Sequence, residues 1–234
     1  MESFEINRTR LIVTADDFGL SAEANRNILY LVELGKIDRV AVMPYGKISP
    51  QDLAQLSRSR VKLDIHLDVL HEFEENKARN NSILWRGFEF LLKILTGKLA
   101  STKVALDWEN QIETFIELFK KKPDGLNSHE HVHFFPPLFK VAVNLQVKYE
   151  IPYIRFGNSV FVLHHKLIAY LLHILRKFNL RACGKNSCLS SGSLISLDWI
   201  DDFDKFLDKL PPGTIEVVCH PALAADFEKI KKYF

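Results

Sequence analysis

At 234 residues and 47% hydrophobic content, the chain is long enough for one large α/β domain, 1–234, and too short for two. Its 31 basic and 29 acidic residues leave a net charge of +2, which excludes the basic footprint of a nucleic-acid binder. Three cysteines (Cys183, Cys188, Cys219) form no CxxC, and the first ten residues lack the apolar core of a secretory signal, so reduced thiols and a cytoplasmic location are expected.

Taken in chain order, short β-type runs alternate with helical patterns. RLIVTA reads as a strand ending at Asp16, followed by a helix from an N-cap at Ser21 to about Gly35. RVAVMP is a second strand, with a helix from Pro50 to Ser59, and VKLDIHL is a third. HEFEENKARNN reads as a loop, after which Ser82 caps a helix running to Gly97. Trp108, Ile112, Phe115, Ile116 and Phe119 recur at helical spacing within Val104–Lys121. GLNS is a short strand, and Pro136–Pro137 opens a helix over Leu138–Tyr149.

PYIRFG then reads as a strand, HHKLIAYLLHILRKF as a helix and ACGKNSCLSSGS as a loop. Asp201–Leu210 is a further helix, and TIEVVCHP the last strand. The longest apolar stretches, ILWRGFEFLLKIL and VFVLHHKLIAYLLHILRKF, are broken by charge and histidine. They fall short of the ~20 predominantly apolar residues of a membrane span, so no membrane partner is expected. Strands separated by helices predict βαβ units and a parallel sheet.

Most of these strands end in residues able to do chemistry: Asp16 and Asp17, His66, His129, Arg155 and His220. In a parallel α/β fold the carboxyl ends of all strands share one face, where sites are built. Each residue alone is also an ordinary polar turn or strand position; together, at equivalent positions, they predict one site. Adjacent carboxylates face opposite ways on a regular strand, but both can enter a site where the chain turns. One can then bind a metal while the other remains a base.

The stretch GLNSHEHVHFF places His129, His131 and His133 at alternate positions. An extended segment would put all three on one face, whereas a helical turn would align only His129 and His133. One Asp and two His with an open position suit a divalent metal that activates water, and the donor set allows Mg²⁺ or Zn²⁺.

LIVTADDFGLSAEAN, IHL, PDGLNSHEHVHFFP, IPYIRFG and EVVCHPA, in this order and spacing, resemble the YdjC-like carbohydrate deacetylases, which include chitooligosaccharide deacetylases. The similarity runs from Leu11 to about Pro221. It implies a TIM-barrel-like fold, deviated or incomplete as a β/α barrel, and hydrolysis of N-acetyl groups on amino sugars. It further implies a divalent metal on Asp17, His66 and His129, with Asp16 as base and His220 as acid or oxyanion partner. Arg155 matches a position near the substrate, and His131 and His133 become substrate-side or loop-ordering residues. Related proteins suggest a homodimer.

The chain departs from that pattern at Asp64, where the family commonly has Gly, at Leu70 in place of Thr, and at Tyr45 in place of Asn. Asp64, two residues before a metal ligand, is expected to be able to face the site. Family members continue beyond H-P-[GA] with a helix and a final strand, so this C-terminus predicts an exposed sheet edge or barrel seam. The alternative activities are a metal-dependent phosphoesterase, for which Arg155 is the anion anchor, and a catalytically impaired sugar-binding relative.

Overall fold

The computed structural model describes residues 10–69, 101–159, 167–185 and 189–234. The loop and helix expected over 71–97, and the positions Leu70 and Cys188, lie outside the described residues. In chain order the strands are β1 (Leu11–Phe18), β2 (Arg39–Val42), β3 (Lys62–Leu67), β4 (Gly125–Ser128), β5 (Asn158–Ser159), β6 (Ser193–Ser196) and β7 (Ile215–Cys219). The principal helices are α1 (Ala22–Glu33), α2 (Pro50–Arg58), α3 (Ser101–Phe119), α4 (Pro136–Tyr149), α5 (Leu167–Lys185), α6 (Phe203–Leu207) and α7 (Ala224–Tyr233).

All seven strands run parallel, in the order β4-β3-β2-β1-β7-β6-β5. The sheet curls until its two edges approach the same piece of chain. On one side the Leu126 N–H donates to the Tyr153 carbonyl and the Arg155 N–H to the Leu126 carbonyl. On the other, Ile154 donates to Leu189, and Asn158–Ser159 pair with Ser193–Leu194. The expected strand PYIRFG is therefore a connector that touches both edges, and regular strand pairing begins only after it, at Asn158–Ser159. The result is an α/β, TIM-barrel-like architecture.

Local chemistry sets the helix starts. Ser21 caps α1 by accepting from the Ala24 N–H, and Ser49 forms a reciprocal capping box with Asp52 beside Pro50. Two expectations are corrected. Helix α5 extends through Lys185 into the stretch expected to be a loop, and β6 is a strand the serine-rich pattern concealed. Pairing of Ser193–Ser196 with Ile215–Val218 makes β6 a strand; four residues carry too little periodicity to show it. The seam expected from the C-terminus is not found next to the last strand, because β7 pairs directly with both β1 and β6, while α7 follows it.

Along β1, Leu11, Val13 and Ala15 join the apolar cluster that includes Ile28 and Leu31 of α1. Thr14 and Asp16 face the other way, into a polar barrel interior. There Arg39 clasps Asp64 through Nε (2.8 Å) and Nη2, and lies over the Tyr153 ring at 4.3 Å. Gly125 makes this pair fit: a Cβ there would come within 2.5 Å of Asp64 Oδ1 and 2.6 Å of Arg39 Nη2. Asp64 accordingly binds Arg39 instead of joining the site above it. Burial raises its pKa despite the lowering effect of Arg39.

Removing one partner of a buried ion pair strands the other charge, at a cost of about 3–5 kcal/mol. We expect Asp64→Ala to lower the free energy of unfolding by that amount, measured by urea denaturation, with metal affinity unaltered. A loss below ~1 kcal/mol, the range of exposed pairs, would show that the pair is not a buried structural element.

Candidate functional site

The carboxyl end of β1 breaks the strand rule that separates neighbouring side chains. Thr14 and Ala15 pair with Arg39 and Val40, but Phe18 pairs with Val42, so β1 carries one extra residue in a bulge. Asp17 sits there at φ 70°, in the left-handed region. The bulge turns Asp17 so that it and Asp16 enter one site. Gly19 (φ 106°) completes the turn, its N–H donating to buried Asn25 Oδ1 at 2.7 Å, while Asn25 Nδ2 donates to the Lys47 carbonyl. Asn25 thus ties the turn after β1 to the loop after β2.

Three side chains converge on this turn. Asp17 Oδ1 lies 3.2 Å from His66 Nε2 and 2.9 Å from His129 Nδ1. The set is the one group of three His, Cys, Asp or Glu residues, among those described, with atoms close enough to share an ion. Ligand bonds of ~2.0–2.2 Å place neighbouring donors ~3 Å apart, so these separations fit a metal.

Charge fits as well. Asp16 and Asp64 are each paired with a guanidinium, Arg155 and Arg39, whereas Asp17 faces only the two histidines and keeps a negative charge for a cation to offset. Burial alone would raise the Asp17 carboxyl, but hydrogen bonds from His129 and His66 hold it well below the usual range. Burial likewise opposes charge on His129, yet Asp17 raises its pKa to about 9.

Neighbouring chain orients these donors. His66 Nδ1 bonds Asn127 Oδ1, which leaves Nε2 for the cluster. Beyond β3, the Asp68 N–H donates to Gln111 Oε1, while Gln111 Nε2 and Trp108 Nε1 donate to the Asp68 carbonyl, pinning the strand end to α3.

The histidine triplet is neither extended nor regularly helical. It lies in a 3₁₀ turn over His129–Phe134, with Glu130 (φ 51°) and His131 (φ 56°) left-handed. The three rings consequently point in three directions. His129 reaches Asp17. His131 packs edge-on against Phe134 and Trp199, its pKa driven well below the usual value by burial and then Arg155. His133 is wholly buried: Nε2 donates to the Arg155 carbonyl at 2.9 Å, Nδ1 meets Ser128 Oγ at 2.6 Å, and that hydroxyl accepts the His133 N–H. Burial, the largest influence, brings His133 to about 3 and keeps it neutral.

Asp16 Oδ2 lies 4.0 Å from His66 Nε2. Arg155 grips it with two bonds, Nη1 to Oδ2 at 2.7 Å and Nη2 to Oδ1 at 2.8 Å. Burial would raise Asp16, but Arg155 and then His66 bring it down to about 2. Arg155 itself is fully buried, with Nε donated to Glu216. It therefore stands behind Asp16, and no part of it is exposed to a ligand.

His220 follows β7, its side chain partly exposed. Its N–H donates to Asp226 Oδ2 at 2.9 Å, and Nδ1 stands 3.7 Å from the same oxygen. Burial opposes protonation, but Asp226, Asp16 and Asp17 together raise His220 to about 9.

Asn25, Asn127, Glu216 and Asp226 were not singled out in the sequence. Asn127 had a signal, since it shares a strand face with His129; Asp226 lies on a helix and had none. Tyr45 is exposed. No described helix is long and apolar enough to cross a membrane.

Comparison with known proteins places this chain in a family. The chain is 27% identical over 227 residues to a carbohydrate deacetylase of Halalkalibacterium halodurans, spanning 91% of this chain and 85% of that one. It is 29% identical over 137 residues to a chitooligosaccharide deacetylase of Escherichia fergusonii, spanning 57% of this chain and about half (54%) of the relative. A carbohydrate deacetylase of Mus musculus aligns at 26% over 156 residues, covering 63% of this chain and 50% of that one. A crystal structure from Enterococcus faecalis V583, provisionally described as a cellobiose-phosphate cleavage protein, shares the fold at TM-score 0.63 and 18% identity, over 95% of this chain and 92% of that one. The family model described as YdjC-like protein matches residues 10–233, and the chain belongs to that family.

Proposed function

We propose that this protein, acting as a single domain, is a metal-dependent hydrolase that removes N-acetyl groups from amino sugars or chitooligosaccharides. The observation that carries this reading is the convergence of Asp17, His66 and His129, with Asp16 Oδ2 4.0 Å from His66 Nε2 and His220 just beyond β7, the strand paired with β1. The deacetylase names of the relatives support it.

Amide hydrolysis needs a nucleophilic water, stabilisation of a tetrahedral oxyanion and a proton for the departing amine. A divalent ion, Mg²⁺ or Zn²⁺, on Asp17, His66 and His129 would supply a water acidified towards ~7 and charge for the oxyanion. Asp16, ionised at every working pH, accepts the water's proton from hydrogen-bond range, ~2.6–3.2 Å. Its pKa of about 2 makes it a weak base on its own, so it can serve only where the water is already acidified. His220, protonated at neutral pH, gives its proton to the amine nitrogen, and Asp226 holds it in place. His131 borders the substrate side, while His133 and Arg155 order the loop and Asp16.

A phosphoesterase would need a free anion anchor, and Arg155 is already committed to Asp16 and Glu216. The deciding experiment follows acetate release from N-acetylglucosamine oligomers after chelation and after restoring Mg²⁺ or Zn²⁺, with a phosphate ester in parallel. Release that stops on chelation and returns with metal is expected. Phosphate release without acetate release would overturn the reading.

A further inference from the structure

We propose that Glu216 is a positioning residue which, through Arg155, fixes the orientation of Asp16 in the site. The inference rests on Asp16 acting as proposed above. A guanidinium that grips a carboxylate with two nitrogens shares its plane, so whatever fixes the plane fixes the carboxylate. The third side of Arg155 is held by Glu216 Oε1, which accepts from Nε at 2.7 Å. Glu216 is immobilised in turn: Tyr153 Oη donates to Oε2 at 2.6 Å and Thr14 Oγ1 to Oε1 at 3.1 Å.

Glu216 and Arg155 show no solvent exposure, and Asp16 is 2% exposed. A buried ionic array of this kind is often no more stable than an apolar packing of the same volume. Geometric control is what the array adds. Glu216 lies on β7, and His220 immediately follows that strand. One strand thereby sets the position of the base, through Arg155, and leads directly into the acid. Arg39 touches the array through the Tyr153 ring and bonds Asp64.

The test is Glu216→Gln, which removes the charge but keeps a carbonyl acceptor for Arg155. We expect kcat to fall ~10–100-fold, the range for a catalytic group displaced by about 1 Å. KM and the affinity for Zn²⁺, measured by calorimetry, should change less than ~3-fold, because the three proposed ligands are untouched. In an Arg155→Lys background the same substitution should cost less than ~3-fold, since losses acting through one residue do not add.

A crystal structure of Glu216→Gln should show the Arg155 plane rotated and the Asp16 carboxylate turned with it. Tyr153→Phe, which keeps the carboxylate, gives a smaller fall in kcat and covers the case of a poorly folded Glu216→Gln. Unchanged kcat in folded Glu216→Gln, additive losses in the double variant, or Asp16 unmoved in the crystal would each overturn the proposal. An inactive wild type whose Asp16 nevertheless moves in the variant would sink the deacetylase reading and leave the positioning role standing.

Discussion

Replacing Asp16 with Asn should lower kcat for acetate release by ~10²–10⁴, the usual contribution of a positioned general base, while metal stays bound. The separation of these effects follows from the geometry. Asp17 Oδ1, not Asp16, lies within 3.2 Å of both His66 and His129. Asn preserves the shape and one acceptor for Arg155, but it cannot take a proton. It also leaves the wholly buried Arg155 with one carboxylate partner, Glu216, so a drop in melting temperature should accompany the kinetic loss. Kinetics with metal titration on the purified variant distinguish the outcomes. Unchanged turnover removes Asp16 as the base, and lost metal binding makes it a ligand.

His129→Ala should have the opposite signature, abolishing metal binding and turnover together. Loss of a direct donor ought to exceed the ~10–100-fold typical of losing a supporting partner. His131→Ala is the control: its ring turns towards Phe134 and Trp199, so calorimetric affinity for Zn²⁺ should be unaltered. Equal losses at both positions would overturn the ligand assignment.

The pH dependence has a definite sign. In the metal-free protein His129 is raised to about 9, against ~6.5 for an unperturbed histidine. Metal must displace that proton, so apparent affinity should climb with pH up to about 9 and level off above it. For the same reason, stability that His129 contributes to the metal-free protein is fully present below ~6.5 and is lost as pH rises to about 9. Thermal melts of chelated protein at pH 6 and pH 9 read this directly, the second being lower.

Much of the fold was legible in the sequence because it depends on local rules. Ser21 and Ser49–Pro50 mark helix starts through caps that use only neighbouring residues. Alternating apolar residues in LIVTA, and helical spacing in Trp108–Ile112–Phe115, announce which face joins the core. One short element was misread and another left unread for a common reason. PYIRFG has good strand composition but bridges two sheet edges, whereas SLIS has poor composition and is a strand because β7 pairs with it.

The placement of Asp16, Asp17, His66, His129 and His220 at strand ends was also readable, since parallel topology sends all those ends to one face. Sequence spacing could not reveal where each side chain points. The β1 bulge and the left-handed Asp17, Glu130 and His131 redirect side chains that a regular period would have aligned, so only one of three alternating histidines joins the cluster. Nor could spacing separate Asp64, neutralised by Arg39, from Asp17, which faces two histidines. The sequence alone determined which residues possess the chemistry and which end of the sheet carries them. Only the tertiary structure decided their partners, because a buried charge takes its role from the groups within ~3 Å of it, and those groups come from other strands.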